Sequence, residues 1–358
     1  MRFNLLPGSE NDSNIYSLSV SNREGIRRKT PSRAFRKVPG VINDQYFSEV
    51  LVPISSDDLP GEDSYQEFDK RIEQRIKKKE VEGNINVFSF FGDKEVDPQK
   101  VANFEDIGLL SKFEVLFNDH LIGMPYSFKF YREGAFEEIF KESTKIYETF
   151  SSVLDGKNLL GYIPAYVSYN DLEKYVNFYS GKAKEQVISE GGEKLNAIPL
   201  MIDFKRANPD GYMRSIAKLL ELKRKYITEG YYPIYYAYNV SRPRMSKNKK
   251  RDLAKEFLLS FLGFDIIGAS NAVLPGGGGS NTNKRVDFDL AEFVYDYTNQ
   301  NISSYNSNKL KASIYGEQSR YLGNIHEKST EDIKYVRKEL TTRKEATEYL
   351  NTITPSGN

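Results

Sequence analysis

The sequence contains no cysteine and only two histidines, His120 and His326, in 358 residues. Without cysteine there are no disulfides and no thiolate metal sites, and two isolated imidazoles exclude a histidine-rich centre. No metal and no cofactor is therefore expected, although a carboxylate site for magnesium or calcium stays open. Nothing approaches the run of roughly 18 apolar residues that a membrane span needs. Met1–Pro7 turns polar too soon to read as a signal peptide. These absences predict a soluble, cytoplasmic protein with no membrane partner. A strong net charge is lacking too: 51 basic against 50 acidic residues leave +1, so the molecule is no uniform polycation.

The charge that is present is clustered. Residues 23–37 hold Arg23, Arg27, Arg28, Lys29, Arg33, Arg36 and Lys37 against Glu24 alone. A second stretch runs Arg242, Arg244, Lys247, Lys249, Lys250, Arg251 before Asp252. Basic clusters on a neutral body suit phosphate-backbone contacts, with Arg27, Arg28, Lys29, Lys247, Lys249 and Lys250 as the contacting residues. Ordinary solvated surface is the alternative.

At 39% hydrophobic and 28% charged the chain can build a core. Short apolar runs recur, each suited to a strand: Phe3–Leu6, Phe47–Pro53, Asn86–Phe91, Phe113–Phe117, Leu159–Tyr166, Ile198–Phe204, Tyr232–Tyr238 and Phe264–Ser270. Several lack polar alternation, as strands buried on both faces do. Helical periodicity falls between them, clearest over Glu133–Leu154, Met213–Tyr226 and Asp252–Leu262, with a polar surface helix over Asp63–Glu82. Alternation of this kind predicts parallel pairing with right-handed crossovers. The expected fold is α/β, a (β/α)8 TIM-type barrel over residues 1–274 with a C-terminal helical extension; a doubly wound open sheet is the alternative. Gly276–Gly279 mark a glycine-rich loop over 275–285, and residues 286–358 form the extension, ending in a helix near Thr330–Leu350.

Barrels carry their chemistry at the C-terminal ends of strands. Asp203, Lys205 and Arg206 end one such strand: the acid suits a general base or nucleophile, the two bases an anionic group. A turn cap beside solvated bases is the alternative. Asn239, Arg242 and Asn271 follow the late strands and suit hydrogen bonds to a base or sugar edge. Asp265 starts its strand, the end that serves stability. The glycine run could approach a phosphate but lacks the lysine-serine ending of a P-loop.

The order of these segments resembles the tRNA-guanine transglycosylases and their DNA-modifying relatives. Leu159-Leu160-Gly161-Tyr162-Ile163-Pro164-Ala165 is similar to the family's L-F-G-I-V-Q-G-G strand. Tyr232-Pro233-Ile234-Tyr235-Tyr236-Ala237, a helix, and Gly263-Phe264-Asp265-Ile266-Ile267-Gly268 follow the order of its P-R-Y-L-M-G and G-V-D-M-F-D segments. Ser304-Tyr305 ahead of Tyr321-Leu322-Gly323-Asn324-Ile325-His326 is similar to the family's tail, and Met1–Pro7 and Phe47–Pro53 fit the DNA-modifying branch. Gly268 stands where the family has its nucleophilic aspartate, the D-S-G-G motif is absent, and so are the zinc cysteines. The resemblance implies a barrel associated with nucleic acid, tRNA or DNA, and exchange of a guanine or 7-deazaguanine base through a glycosyl-enzyme intermediate. Asp203 would then be the working carboxylate. A non-catalytic barrel subunit, serving as a nucleic-acid or protein platform in a homo- or hetero-oligomer, is the reading from another class. A barrel enzyme on a small phosphorylated metabolite is the third.

Overall fold

A computed structural model describes residues 1–6, 16–38, 46–54, 65–92, 119–127, 136–153, 158–184, 186–189, 191–241, 250–269, 284–299, 307–332 and 334–354. In chain order the elements begin with β1 (Arg2–Leu5), β2 (Leu18–Ser21), β3 (Arg27–Lys29), β4 (Ser32–Arg33) and β5 (Ser48–Ile54). Next come α1 (Tyr65–Lys79), β6 (Asn86–Gly92), β7 (Leu121–Ser127), α2 (Phe136–Val153), β8 (Leu159–Pro164), α3 (Tyr169–Ser180) and β9 (Gln186–Ile188). They are followed by β10 (Lys194–Asp203), α4 (Met213–Thr228), β11 (Tyr231–Tyr238), β12 (Arg251–Leu253), α5 (Lys255–Leu258) and β13 (Ile266–Ile267). The chain closes with β14 (Lys284–Asp289), β15 (Val294–Asn299), α6 (Ser307–Glu331), α7 (Tyr335–Thr341) and α8 (Lys344–Ile353).

The sheet is mixed, and this overturns the expected (β/α)8 barrel. Strands β5-β6-β7-β8-β10-β11-β13-β4 pair in parallel. To these are added the antiparallel pairs β1–β2, β2–β3 and β9–β10. Strand β1 joins β9 in parallel at that side of the sheet, so Phe3–Leu6 belongs to the antiparallel extension and not to the main run. The parallel run curls as a half-barrel, and the chain just past β4 meets β5 through an isolated bridge, Phe35 to Ser48. Two further departures break the alternation. Phe264–Ser270 yields a strand of only two residues, and Asp252–Leu262 divides into β12, the single turn α5 and a 3₁₀ turn over Leu259–Leu262. Hydrophobic periodicity reports which face is buried, not the direction of the neighbouring strand, and strands as short and polar as β3 leave no period to read. Phe113–Phe117 lies outside the described residues.

Helices cover one face of the sheet. Tyr179 of α3 lies against Gly161, where an added Cβ would stand 2.6 Å from the ring, and the Tyr235 hydroxyl donates to Leu219 O on α4 at 2.8 Å. The opposite face closes on itself: Ser89 of β6 reaches Met201 Sδ of β10 at 3.7 Å, and Tyr236 of β11 donates to Glu49 of β5. This concave, inward face carries the polar residues considered below.

The C-terminal segment is built into the body. Strands β12, β15 and β14 form a second, antiparallel sheet, whose ladder crosses the expected 274/286 division. Helix α6 lies against β4: Ser319 Oγ accepts from Arg33 N at 3.0 Å, and the Arg33 guanidinium stacks 4.4 Å from the Tyr315 ring centroid. The expected helix near Thr330–Leu350 is instead three helices, α6 to α8.

Candidate functional site at the C-terminal strand ends

Parallel pairing sends the C-terminal ends of β8, β10, β11, β13 and β4 to one edge of the sheet. Asp203, the last residue of β10, pairs in register with Pro164 on one side and Tyr238 on the other. Its side chain is fully buried. Oδ2 accepts from the Tyr162 hydroxyl at 2.9 Å, while Oδ1 accepts from Lys205 N at 2.9 Å and from Asn239 Nδ2 at 3.1 Å. All three groups are donors, the arrangement an acceptor-only carboxylate requires. The Tyr162 hydroxyl also lies 3.4 Å from that of Tyr166. Burial first, and then the nearby Asp203 charge, push the Tyr166 phenol far above its ordinary pKa. Tyr212 is raised for the same two reasons.

The backbone around Asp203 is strained. Lys205, Arg206 and Asn239 have φ of 51°, 58° and 53°, three of the five non-glycine residues with positive φ in the described chain. Left-handed residues other than glycine cost energy and gather at functional sites. The Asp203 bond to Lys205 N, two residues on, is the local turn that holds the first of them. Cross-links fix the loops: Phe204 N donates to Tyr238 O and Ser241 N to Ala207 O, each at 2.9 Å. Lys205 and Arg206 are exposed, with Lys205 Nζ 5.2 Å from the Tyr166 ring centroid. Lys205 N and the Asn239 amide thus meet on Asp203, with the Lys205 and Arg206 side chains exposed beside them. The arrangement also supports the turn-cap chemistry of Asp203, because the two uses share the same atoms.

A second buried carboxylate serves the same concave face. Glu49 on β5 accepts from the Tyr236 hydroxyl through Oε1 and from Arg36 Nε through Oε2 at 2.8 Å. The Arg36 side chain is 38% exposed and the Glu49 side chain 0%, so the pair runs from the surface into the interior. Burial works against the Arg36 charge, but Glu49 outweighs it and raises the guanidinium above its ordinary pKa. Arg36 Nη2 also reaches Ala269 O at 3.4 Å. Sequence reading missed Glu49, Arg36, Tyr162 and Tyr236. The available signal was an acid inside the apolar strand Phe47–Pro53, where an unpaired charge would not be tolerated.

The other expected residues are scattered or structural. Arg242, Asn271, Lys247, Lys249 and Gly276–Gly279 lie outside the described residues. Arg28 is buried and donates to Asn84 Oδ1 at 2.8 Å and to Tyr46 O at 3.3 Å, tying β3 to the starts of β5 and β6. Its guanidinium serves the fold. Lys29 pairs with Glu327 at 3.0 Å on the surface, while Arg27 and Lys250 are exposed. Asp265 holds Lys223 Nζ at 2.7 Å at the start of its strand, the stabilising use its position suggests. Among the described residues no cluster of three metal-binding side chains occurs, and no helix is long and apolar enough to cross a membrane. Set against known proteins, the chain matches no family model and no curated relative.

Proposed function

We propose that this protein binds a nucleic acid, tRNA or DNA, and exchanges a guanine-type base in it, with Asp203 as the carboxylate that moves the proton on the base. The observation that carries the reading is the buried, donor-lined Asp203 at the C-terminal end of a parallel strand, between the strained residues Lys205, Arg206 and Asn239. Parallel sheets expose their chemistry at that end, and strain held by the surrounding structure is characteristic of working sites. Lys205 and Arg206, both exposed beside Asp203, are of the chemistry that suits a phosphate. The resemblance of the segment order to the transglycosylases supplies the substrate class. The proposed setting is the cytoplasm, where a cysteine-free chain forgoes nothing by lacking disulfides.

The test is incorporation of labelled guanine or 7-deazaguanine into tRNA and into duplex DNA. Asp203→Asn should lower incorporation by about two orders of magnitude or more, the contribution of a catalytic acid or base. Stability should hold, because Asn supports such a turn about as well as Asp. The second reading is a non-catalytic platform, favoured by the local turn in which Asp203 accepts from Lys205 N. It predicts nucleic-acid binding without incorporation, and an Asp203→Asn variant that binds unchanged.

A further inference from the structure

Strand β5 ends the parallel run, and the chain beyond β4 closes on it only briefly. Phe35 N donates to Phe47 O and Glu49 N donates to Phe35 O. By the period of two along a strand, Leu51 and Pro53 turn their peptide groups to that same side. Beyond the bridge no strand among the described residues pairs with this edge of β5. Pro53 has no N–H to offer one. Two cations of α1 take the place of a strand: Lys79 Nζ donates to Leu51 O at 2.5 Å, and Arg75 Nη1 donates to Pro53 O at 2.7 Å. They lie one turn apart on the helix, flanking the buried Ile72 and Ile76. Protection of a sheet edge by charged side chains is their plainest use.

The seam between β4 and β5 carries more positive charge than two carbonyls call for. Arg36 stands at the bridge, held by Glu49, and reaches Ala269 O. Lys37 donates to Glu80 O at 2.8 Å, just past the end of α1, and Lys78 is exposed. Part of this follows from the preference of cations for a helix C-terminus, where Lys77, Lys78 and Lys79 fill the last turn. That preference does not account for Arg36 and Lys37, which come from a different stretch of chain. Burial first, then Arg75, Arg36 and Lys78, hold the Lys79 ammonium below its ordinary pKa. Like charges gathered by a fold repel one another, and an anion among them relieves the repulsion. An ammonium has three donors, so Lys79 can hold Leu51 O and a phosphate oxygen at once. The seam also adjoins the concave face, since Glu49 links Arg36 to Tyr236, which lies in one row with Tyr162, a donor to Asp203. Large exposed apolar side chains, which a lipid surface would engage, lie elsewhere among the described residues, at Tyr169 on α3 and Ile188 on β9. Resting on the nucleic-acid reading, we infer that the sugar–phosphate backbone lies along the β4–β5 seam, gripped by Arg75, Lys78 and Lys79 with Arg36 beside them.

The experiment titrates the full-length protein with fluorescently labelled tRNA and with duplex DNA over a range of salt. Lys78→Ala should flatten the log–log salt dependence of affinity by about one unit, and Lys78→Ala combined with Lys79→Ala by about two. Lys344→Ala, the same change at an exposed position of α8, should leave the slope as it is. Lysine acetylation read by mass spectrometry needs no variant: bound nucleic acid should protect Lys78 and Lys79 and leave Lys344 reactive. The double variant loses the bond to Leu51 O, so if it does not fold, Lys78→Ala and the protection map decide. The parent's slope in folded Lys78→Ala, an equal loss in Lys344→Ala, or Lys78 acetylated as fast in the complex as in the free protein overturns the seam and leaves nucleic-acid binding standing. Protection of these lysines by phosphatidylserine vesicles and by neither nucleic acid overturns the inference in favour of a lipid surface. No binding of either nucleic acid by the unmutated protein overturns the nucleic-acid reading and the seam together.

Discussion

Lys223 extends from α4 into a box of rings, 4.8 Å from Tyr232, 5.2 Å from Tyr235 and 5.4 Å from Tyr16. It donates to Asp265 Oδ2 and to Gly263 O, each at 2.7 Å, and Asp265 also accepts from Tyr235 N at 2.7 Å. Burial lowers the lysine pKa and raises that of the aspartate, so each ion is tolerated only because of the other. Lys223→Met should destabilise the protein by about 3–5 kcal/mol, because it strands a buried carboxylate. Replacing both residues with apolar ones should recover much of that loss, as read by denaturant unfolding. A variant that unfolds at the parent's midpoint would mean the pair contributes nothing. Asp265 at a strand start was legible as a stability residue in the sequence. Its partner was not, because Lys223 lies on a helix 42 residues away and looks like any amphipathic-helix lysine.

Among the elements, α6 and α7 are joined by one acid. Glu339 accepts from Tyr321 at 2.9 Å, Tyr335 at 3.0 Å and Arg343 at 2.9 Å. Burial opposes its charge, but these donors win and set its pKa below the ordinary 4.5. With the folded value depressed, the unfolded chain binds the proton more readily. The stability contributed is therefore complete above the unfolded pKa and lost as pH falls through the folded one. Melting temperatures of the parent and Glu339→Gln should differ at neutral pH and converge only once the pH has fallen through the depressed folded pKa; a constant gap would rule the mechanism out. The sequence showed the strands β5, β6, β8 and β11 to within two residues, since each is a buried apolar run, but began β10 four residues late, past its exposed start. It did not show β12 or the break of the tail into three helices. Their apolar positions repeat at helical spacing on both sides of each break, and β12 arises from tertiary pairing with β15.

For the molecule as a whole, the placement of the basic residues divides them into two kinds. Arg27 and Lys250 are exposed and Lys29 is held by a surface pair, whereas Arg28 is internal. If the protein binds nucleic acid, Arg27→Ala or Lys250→Ala should each flatten the log–log salt dependence of affinity by about one unit. Arg28→Ala should instead lower the melting temperature, because Asn84 loses its buried donor. An equal salt effect from all three substitutions would contradict this division. The density of Arg and Lys over 23–37 was plain in the sequence, but which of them face inward depends on the β2–β3 pairing and the contact with Asn84, neither of which leaves a trace in composition.

Lys205 and Arg206 hold left-handed backbone with side chains that resist it, whereas Asn239 adopts it more readily. Glycine would sit there without penalty. Lys205→Gly should accordingly raise the melting temperature, while weakening whatever the exposed ammonium beside Tyr166 grips. A chain shaped for endurance alone would have taken that substitution. If the edge of β10 is the working site proposed above, durability and use pull in opposite directions there. Any programme to harden the protein should therefore leave this stretch untouched.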